Sequence, residues 1–166
     1  MSCHRVCQEN VIMSDLGVRI GGSPFVNGPQ PGGFGIKMYY NEASKRTRGV
    51  IVFDVTKMGP PGCAHGGAIA TILDEAMGAA AWFNGHPVLA VNLNVDLKYS
   101  VPLETEIEVT GWIERIDGRK AYLAAEMYLP DGQVAARSTC LFLKVSGFEG
   151  MTEADNPFRP VPPAAE

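Results

Sequence analysis

The 166-residue chain lacks any apolar run near the length of a membrane span, and its first residues lack the basic-then-apolar layout of a secretory leader. It is therefore expected to be soluble and cytoplasmic, with no membrane partner. An excess of basic residues is missing too: 14 Lys and Arg, scattered along the chain, stand against 18 Asp and Glu, for a net charge of -4. That leaves no electrostatic footprint for nucleic acid. Cysteine is scarce. Of the four, Cys3 and Cys7 flank His4 with a loose metal-ligand look, but no second Cys/His pair stands at finger spacing and His65 and His86 are far off in sequence. No metal site is expected, and the segment reads as a flexible terminus. Cys63, two residues before His65, is expected to pack rather than to act as a nucleophile. The Gly/Pro-rich stretch from Gly21 to Gly33 lacks the Lys-Ser/Thr of a phosphate loop and opens no helix, so it reads as loop.

With 46% hydrophobic residues the chain can bury the core of one ordinary domain, and nothing suggests a second. Its centre is the stretch from Gly59 to Trp82, GPPGCAHGGAIATILDEAMGAAAW. A Gly/Pro loop leads into His65, Gly66 and Gly67, then into a segment free of Gly and Pro from Ala68 to Met77 that can only be a helix. At 100° per residue, Ile69, Ile72, Leu73, Ala76, Met77, Ala80 and Phe83 gather on one side. The opposite side is small: Gly67, Ala70, Thr71, Gly78 and Ala81, with Asp74 among them. Such a helix is expected to be buried nearly all round, its small side pressed against another backbone.

Asp74 is the residue to explain, because a mid-helix Asp among Gly and Ala costs free energy unless something pairs with it. Two readings stand: a carboxylate held as base or nucleophile in a dry cleft, and a structural Asp that pairs or meets solvent. The loop ahead of the helix favours the first. Gly66 and Gly67 open the helix with bare N–H groups and no Cβ, so a carbonyl oxygen can approach closely, which describes an oxyanion-binding feature. Gly66 and Asp74 are eight residues apart, roughly 12 Å along a helix, so they cannot both touch one reacting carbonyl from the same chain. Two helices lying antiparallel across a two-fold axis would bring Gly66 of one to Asp74 of the other.

Strands are expected around the helix. Phe34 to Tyr40 and Thr47 to Thr56 read as a hairpin, and Val91, Leu93, Val95, Leu97 and Tyr99 alternate with Asn92, Asn94, Asp96 and Lys98 as a strand with one core face and one polar face. That polar face either lines a cleft or is ordinary exposed surface. Two further hairpins turn at Asp117-Gly118 and Pro130-Asp131-Gly132. Residues 1 to 20 carry only a weak apolar pattern, Val6, Val11, Ile12, Leu16 and Val18. From Gly147 the Pro-rich tail is expected to be extended or disordered. The layout is α+β, one central helix on a curled antiparallel sheet.

His65-Gly66-Gly67-Ala68 with Asp74 and Gly78, within GPPGCAHGGAIATILDEAMG, and the later VNLNVDLKYSVPL and IDGRKAYL resemble the hotdog-fold acyl-CoA thioesterases. The likeness is to the 4-hydroxybenzoyl-CoA thioesterase and PaaI-like branch, and most to the thioesterase superfamily member 4 and 5 type. It covers about Phe34 to Val145, and implies a hotdog domain over 34–146 between an extension (1–33) and a tail (147–166). It also implies a homodimer joined edge to edge, with a dimer of dimers left open, acting on an acyl-CoA whose CoA is substrate and not cofactor. By this resemblance Asp74 attacks the thioester or activates the water that does, the Gly66 N–H polarises the thioester oxygen, and His65 shapes the turn. Gly67 and Asn92 join the substrate site, and Lys98, Arg119 and Lys120 are candidate phosphate contacts, with ordinary surface bases as the alternative. The chain departs from many relatives in having no Asn or Gln from Gly59 to Ala64, no hydroxyl from Val88 to Asn94, and Val101 where an Arg is common. A hotdog hydratase or a non-catalytic acyl-CoA binder are the competing readings. The first wants a His paired with its acid; the second needs no Asp74.

Overall fold

The computed structural model describes residues 17–28, 32–148 and 150–162, so the Cys3, His4 and Cys7 group lies outside the described residues. Seven strands, β1 (Val18–Ile20), β2 (Lys37–Asn41), β3 (Arg46–Val52), β4 (Val88–Leu97), β5 (Glu106–Asp117), β6 (Lys120–Tyr128) and β7 (Val134–Lys144), form one antiparallel sheet. Their order across it is β1-β2-β3-β5-β6-β7-β4. Two helices accompany them: the short α1 (Pro24–Asn27) and the long α2 (Gly66–Phe83). This is the expected α+β layout, with hairpins where the turn residues placed them. Asp117 pairs with Lys120 around Gly118, whose φ of 56° suits glycine.

The helix rests on the sheet through the apolar side read from its period. Ile72, Leu73, Ala76, Met77 and Ala80 are fully buried against Ile51, Ile107, Val109, Leu123 and Met127 of the strands. The approach is closest at Gly111, where an added Cβ would stand 2.4 Å from the Ala76 carbonyl oxygen. Thr47 reinforces the seat by donating its hydroxyl hydrogen to the same oxygen at 2.7 Å. Backbone therefore meets backbone on the apolar side. Within one chain the small-residue side is only partly covered: Gly67 is exposed, Ala70, Thr71, Asp74 and Gly78 are half-buried, and Ala81 is buried. The sheet of one chain covers one side of its helix and leaves this stripe open.

The strand β4 corrects an expectation. It lies at an edge and pairs only with β7, and Leu89, Val91, Leu93, Leu97 and Tyr99 are 41–55% exposed instead of forming core. Beyond the bulge the alternation nonetheless points Leu93, Val95 and Leu97 inward. Leu93 pairs with Cys140, Val95 with Ser138 and Leu97 with Ala136, and those three partners are buried on the helix side. A bulge between Ala90 and Asn92 interrupts the ladder. The helix runs antiparallel to this strand: Leu97 lies over Gly66, and the Trp82 indole N–H donates to the Val88 carbonyl at 3.1 Å.

The segments on either side of the domain are more ordered than their composition suggests. Within Gly21 to Gly33, Pro24 starts the single-turn α1 and Val26 is buried. The tail folds back instead of trailing: Phe158 is only 5% exposed, Pro160 bridges to Ile20, and the Val161 N–H donates to Arg19 at 2.9 Å. One buried aromatic ring outweighs the local preference of the prolines. No helix among the described residues is long and apolar enough to cross a membrane.

The seat of α2 gives a direct test. Gly111→Ala places a methyl group against the Ala76 carbonyl, and overpacking of this kind costs typically 1–3 kcal/mol. Chemical denaturation should show a lower midpoint with an unchanged slope; an unaltered midpoint would mean that helix and strand can separate freely.

Candidate active site

The loop before α2 is pinned before the helix begins. Met58 and Ala64 form a bridge, the Gly59 N–H donates to Cys63 at 2.9 Å, the His65 N–H donates to Lys57 at 2.8 Å, and Gly62 turns the chain with φ 75°. At the first turn of the helix the backbone donors can be accounted for one by one. The N–H of Gly67 donates to His65 Nδ1 at 2.9 Å, and those of Ala68 and Ile69 donate to the His65 carbonyl at 2.9 and 3.1 Å. The N–H of Gly66 has no acceptor among the described residues. His65 thus does shape the turn, as its N-cap, and in doing so it occupies Gly67 and leaves Gly66 as the available donor at the positive end of the helix. The bond fixes the His65 tautomer, with Nδ1 as acceptor.

Two turns on, Asp74 projects from the open stripe. Its Oδ1 is buried and accepts no hydrogen bond, and burial raises its pKa above the ordinary aspartate value. The Cys140 thiol on β7 lies close enough to feel it: burial first, then the Asp74 charge, push that thiol up to about 12. Asp74 and the Gly66 of its own chain are roughly 12 Å apart along the helix.

Glu75 is a second carboxylate that the sequence reading passed over as a neighbour of Asp74. It is 7% exposed, and both its oxygens are engaged: Ser23 donates its N–H to one and its hydroxyl to the other, the latter at 2.8 Å. Burial raises its pKa, opposed by the two Ser23 bonds. The signal was present in the sequence, since Glu75 falls 100° from Asp74 on the covered flank, and a buried acid needs a partner.

The remaining candidates separate into groups. Lys98 lies with Gly66, Cys63, Ile69, Leu97 and Tyr99 around a shallow cavity of about 310 Å³. Asn92 does not reach Asp74: it pairs with Leu141 on the outer face of the sheet, where Asn94 donates its amide to it at 2.6 Å. Arg119 and Lys120 are at the opposite end from Lys98. The Lys98 N–H donates to Ala135 and the Lys144 N–H to Arg119, so nine residues of β7, about 30 Å, separate the two groups. Within one chain these bases cannot hold one phosphate together.

The stripe, the free N–H and the lone carboxylate can be set beside known proteins. Residues 61–136 match the model of the thioesterase superfamily. Over those residues the chain carries the pattern of that superfamily. It is 35% identical over 121 residues to the acyl-coenzyme A thioesterase THEM4 of Rattus norvegicus, over 72% of this chain and 52% of that one. The chain thus spans about half the length of the curated relatives it matches. A crystal structure of a thioesterase superfamily protein shares 29% identity and a TM-score of 0.63, over 65% of this chain and 53% of the other. An X-ray structure from the same superfamily shares 25% identity and a TM-score of 0.61, over 73% and 93%. The long helix on an antiparallel sheet is the hotdog fold of the thioesterase superfamily.

A buried acid with a raised pKa binds its proton more tightly folded than unfolded. Its ionisation therefore withdraws stability as pH rises from the unfolded pKa through the folded one. Asp74→Asn is expected to melt at a higher temperature than the wild type at pH 7, the gap closing below about pH 4 where both are neutral. A variant that melts lower at neutral pH would show that the Asp74 charge is compensated in the folded protein.

Proposed function

We propose that the chain hydrolyses an acyl-CoA thioester to a free acid and CoA at a site completed by two copies. The observation that carries this reading is the pairing of one unsatisfied donor, the Gly66 N–H, with one unsatisfied acceptor, Asp74 Oδ1, on the same helix at a spacing too long for one carbonyl. The likeness to THEM4 supplies the substrate class. Two copies joined antiparallel along β4 would cover Leu89, Val91, Leu93 and Leu97 and lay the open stripes of their helices against each other. Gly66 of each would then face Asp74 of the other.

In that arrangement the thioester oxygen accepts from the Gly66 N–H, where the helix dipole and a dry setting favour developing negative charge. Asp74 takes a proton from the attacking water, or attacks the carbonyl carbon itself and leaves an anhydride for water to open. Either way the C–S bond breaks and the sulfur leaves as the CoA thiolate, which then gains a proton. Antiparallel β4 pairing also resolves the distance between the bases. Lys98 of one copy comes to the Val88 end of its neighbour's strand, the end that carries Arg119 and Lys120, and the three become joint candidates for the CoA phosphates.

Gly66→Pro removes the donor at a position where proline suits the helix, and His65 is already extended as the residue before proline requires. Thiol release from acyl-CoAs should fall by about 10²–10³-fold. Asp74→Asn should fall by on the order of 10²-fold or more. Mixing the two inactive proteins through unfolding and refolding should restore about a quarter of wild-type activity, because half the dimers are mixed and each has one intact site. Restoration of nothing would place the whole site within one chain.

The ionised form of Asp74 is the active one in either route. The acid limb of kcat/KM is therefore expected at a pH above the ordinary aspartate range, activity being lost as pH falls through the raised pKa. A profile still flat at the ordinary aspartate value would remove Asp74 from the proton transfer.

A further inference from the structure

Lys57 ends the short turn that follows β3, and its side chain is only 9% exposed. A lysine normally packs its stem and keeps its ammonium in water, so a covered one needs partners. Those present account for it only in part. Its Nζ donates to the Thr56 hydroxyl oxygen at 2.6 Å and stands 5.0 Å from the centroid of the Phe34 ring. The carboxylate of Asp54 lies at 3.9 Å, beyond hydrogen-bond length, and its Oδ1 already accepts the N–H and the hydroxyl hydrogen of Thr56. An ammonium has three hydrogens to place, and among the described residues only Thr56 takes one.

Lys57, Thr56 and Phe34 line one cavity of about 350 Å³, with Phe25 as a further wall and glycines completing it. The ammonium touches two other wall residues, so it belongs to the wall itself. The Phe25 ring packs on Phe34 with centroids 6.5 Å apart, yet it stays 72% exposed, the most of any large apolar side chain among the described residues. An incompletely bonded cation therefore stands beside two aromatic faces. The walls come from two segments of the chain. Phe25 is carried by α1, whose N-cap Ser23 is tied to Glu75 of α2, whereas the Lys57 carbonyl accepts the His65 N–H at the helix start.

We infer that this cavity binds a carboxylate monoanion with an apolar body, the carboxylate on the Lys57 ammonium and the body against Phe25 and Phe34. The site uses neither Gly66 nor Asp74 and does not rest on the thioesterase reading. Asp54 remains beside it as a negative group, so a dianion such as phosphate is repelled as well as held. A neutral molecule of the same shape leaves the ammonium as incompletely bonded as before. Because the walls meet only in the folded chain, an occupant also stabilises the fold.

The test uses the full chain and 4-fluorobenzoate, titrated by fluorine NMR at neutral pH, with 4-fluorobenzyl alcohol as the neutral probe and inorganic phosphate as competitor. Wild type should bind the benzoate saturably and melt at a higher temperature in its presence. The alcohol should bind about tenfold more weakly or worse, since it makes no charge-assisted bond. Lys57→Met keeps the stem and removes the ammonium; it should weaken the benzoate by about tenfold or more and leave the alcohol unchanged. Phe25→Ala should weaken both probes severalfold. Its ring is exposed, so this variant still decides the matter if Lys57→Met fails to fold. Phosphate at the same concentration should displace neither probe. The absence of saturable benzoate binding would overturn the proposal, as would equal affinity for the alcohol or displacement by phosphate. Benzoate affinity unchanged in Phe25→Ala, or in a folded Lys57→Met, would place the bound acid elsewhere and overturn it equally.

Discussion

The close seating of α2 on the sheet is the constraint from which the rest follows. Gly111 and Ala76 let two backbones approach to contact, and the Thr47 hydroxyl fastens the approach at the Ala76 carbonyl. A helix held this tightly on one side buries Ile72, Leu73, Met77 and Ala80 completely. The stripe from Gly67 to Gly78 and the inward side chains of β4 are what remains uncovered within the chain, and Asp74 lies along that line. Core packing and site location are here one geometric fact.

The first turn of the helix shows how economically a site can be prepared. Four N–H groups begin any α-helix without intrahelical acceptors. His65 and its carbonyl satisfy three of them, and the fourth belongs to a residue with no side chain to obstruct it. Asp74 is the matching case among acceptors: Ser23 engages both oxygens of Glu75, one residue away, while Oδ1 of Asp74 is buried without a donor. Of two adjacent carboxylates, one holds the chain together through Ser23 and the other has a buried oxygen without a partner, and its ionisation is disfavoured by burial.

Much of this was legible in the sequence, and for physical reasons. The helix, its apolar side and the three hairpins rest on periodicity and turn chemistry, and the spacing of Gly66 from Asp74 on rise per residue, all of them local properties of the chain. The misreadings share a cause. Alternation along β4 told which side chains point inward but not that the strand is at an edge, where inward does not mean covered. Small residues opposite an apolar side mark a packing surface without naming its partner, and the close approach that occurs within the chain is at Ala76. The prolines of the tail spoke for extension, and one aromatic ring 80 residues away in sequence from Gly78 decided otherwise. Asn92, a candidate by residue type, lies by a one-residue parity on the outer face of the sheet.

The two edges of the sheet are not alike. At the β1 edge the tail lies alongside Val18 to Ile20, with Pro160 bridged to Ile20 and the N–H of Val161 spent on Arg19, so that side offers a further strand neither a free ladder nor, at its prolines, a donor. Among the described residues the β4 edge carries no such cover. A ribbon of sheets needs two receptive margins on every unit; with one margin sealed, strand addition at the other can join two molecules and then has nowhere to continue. If two copies join at β4 as proposed above, the folded-back tail sets a ceiling on assembly through the sheet, and the contact at the exposed apolar edge would terminate at a pair.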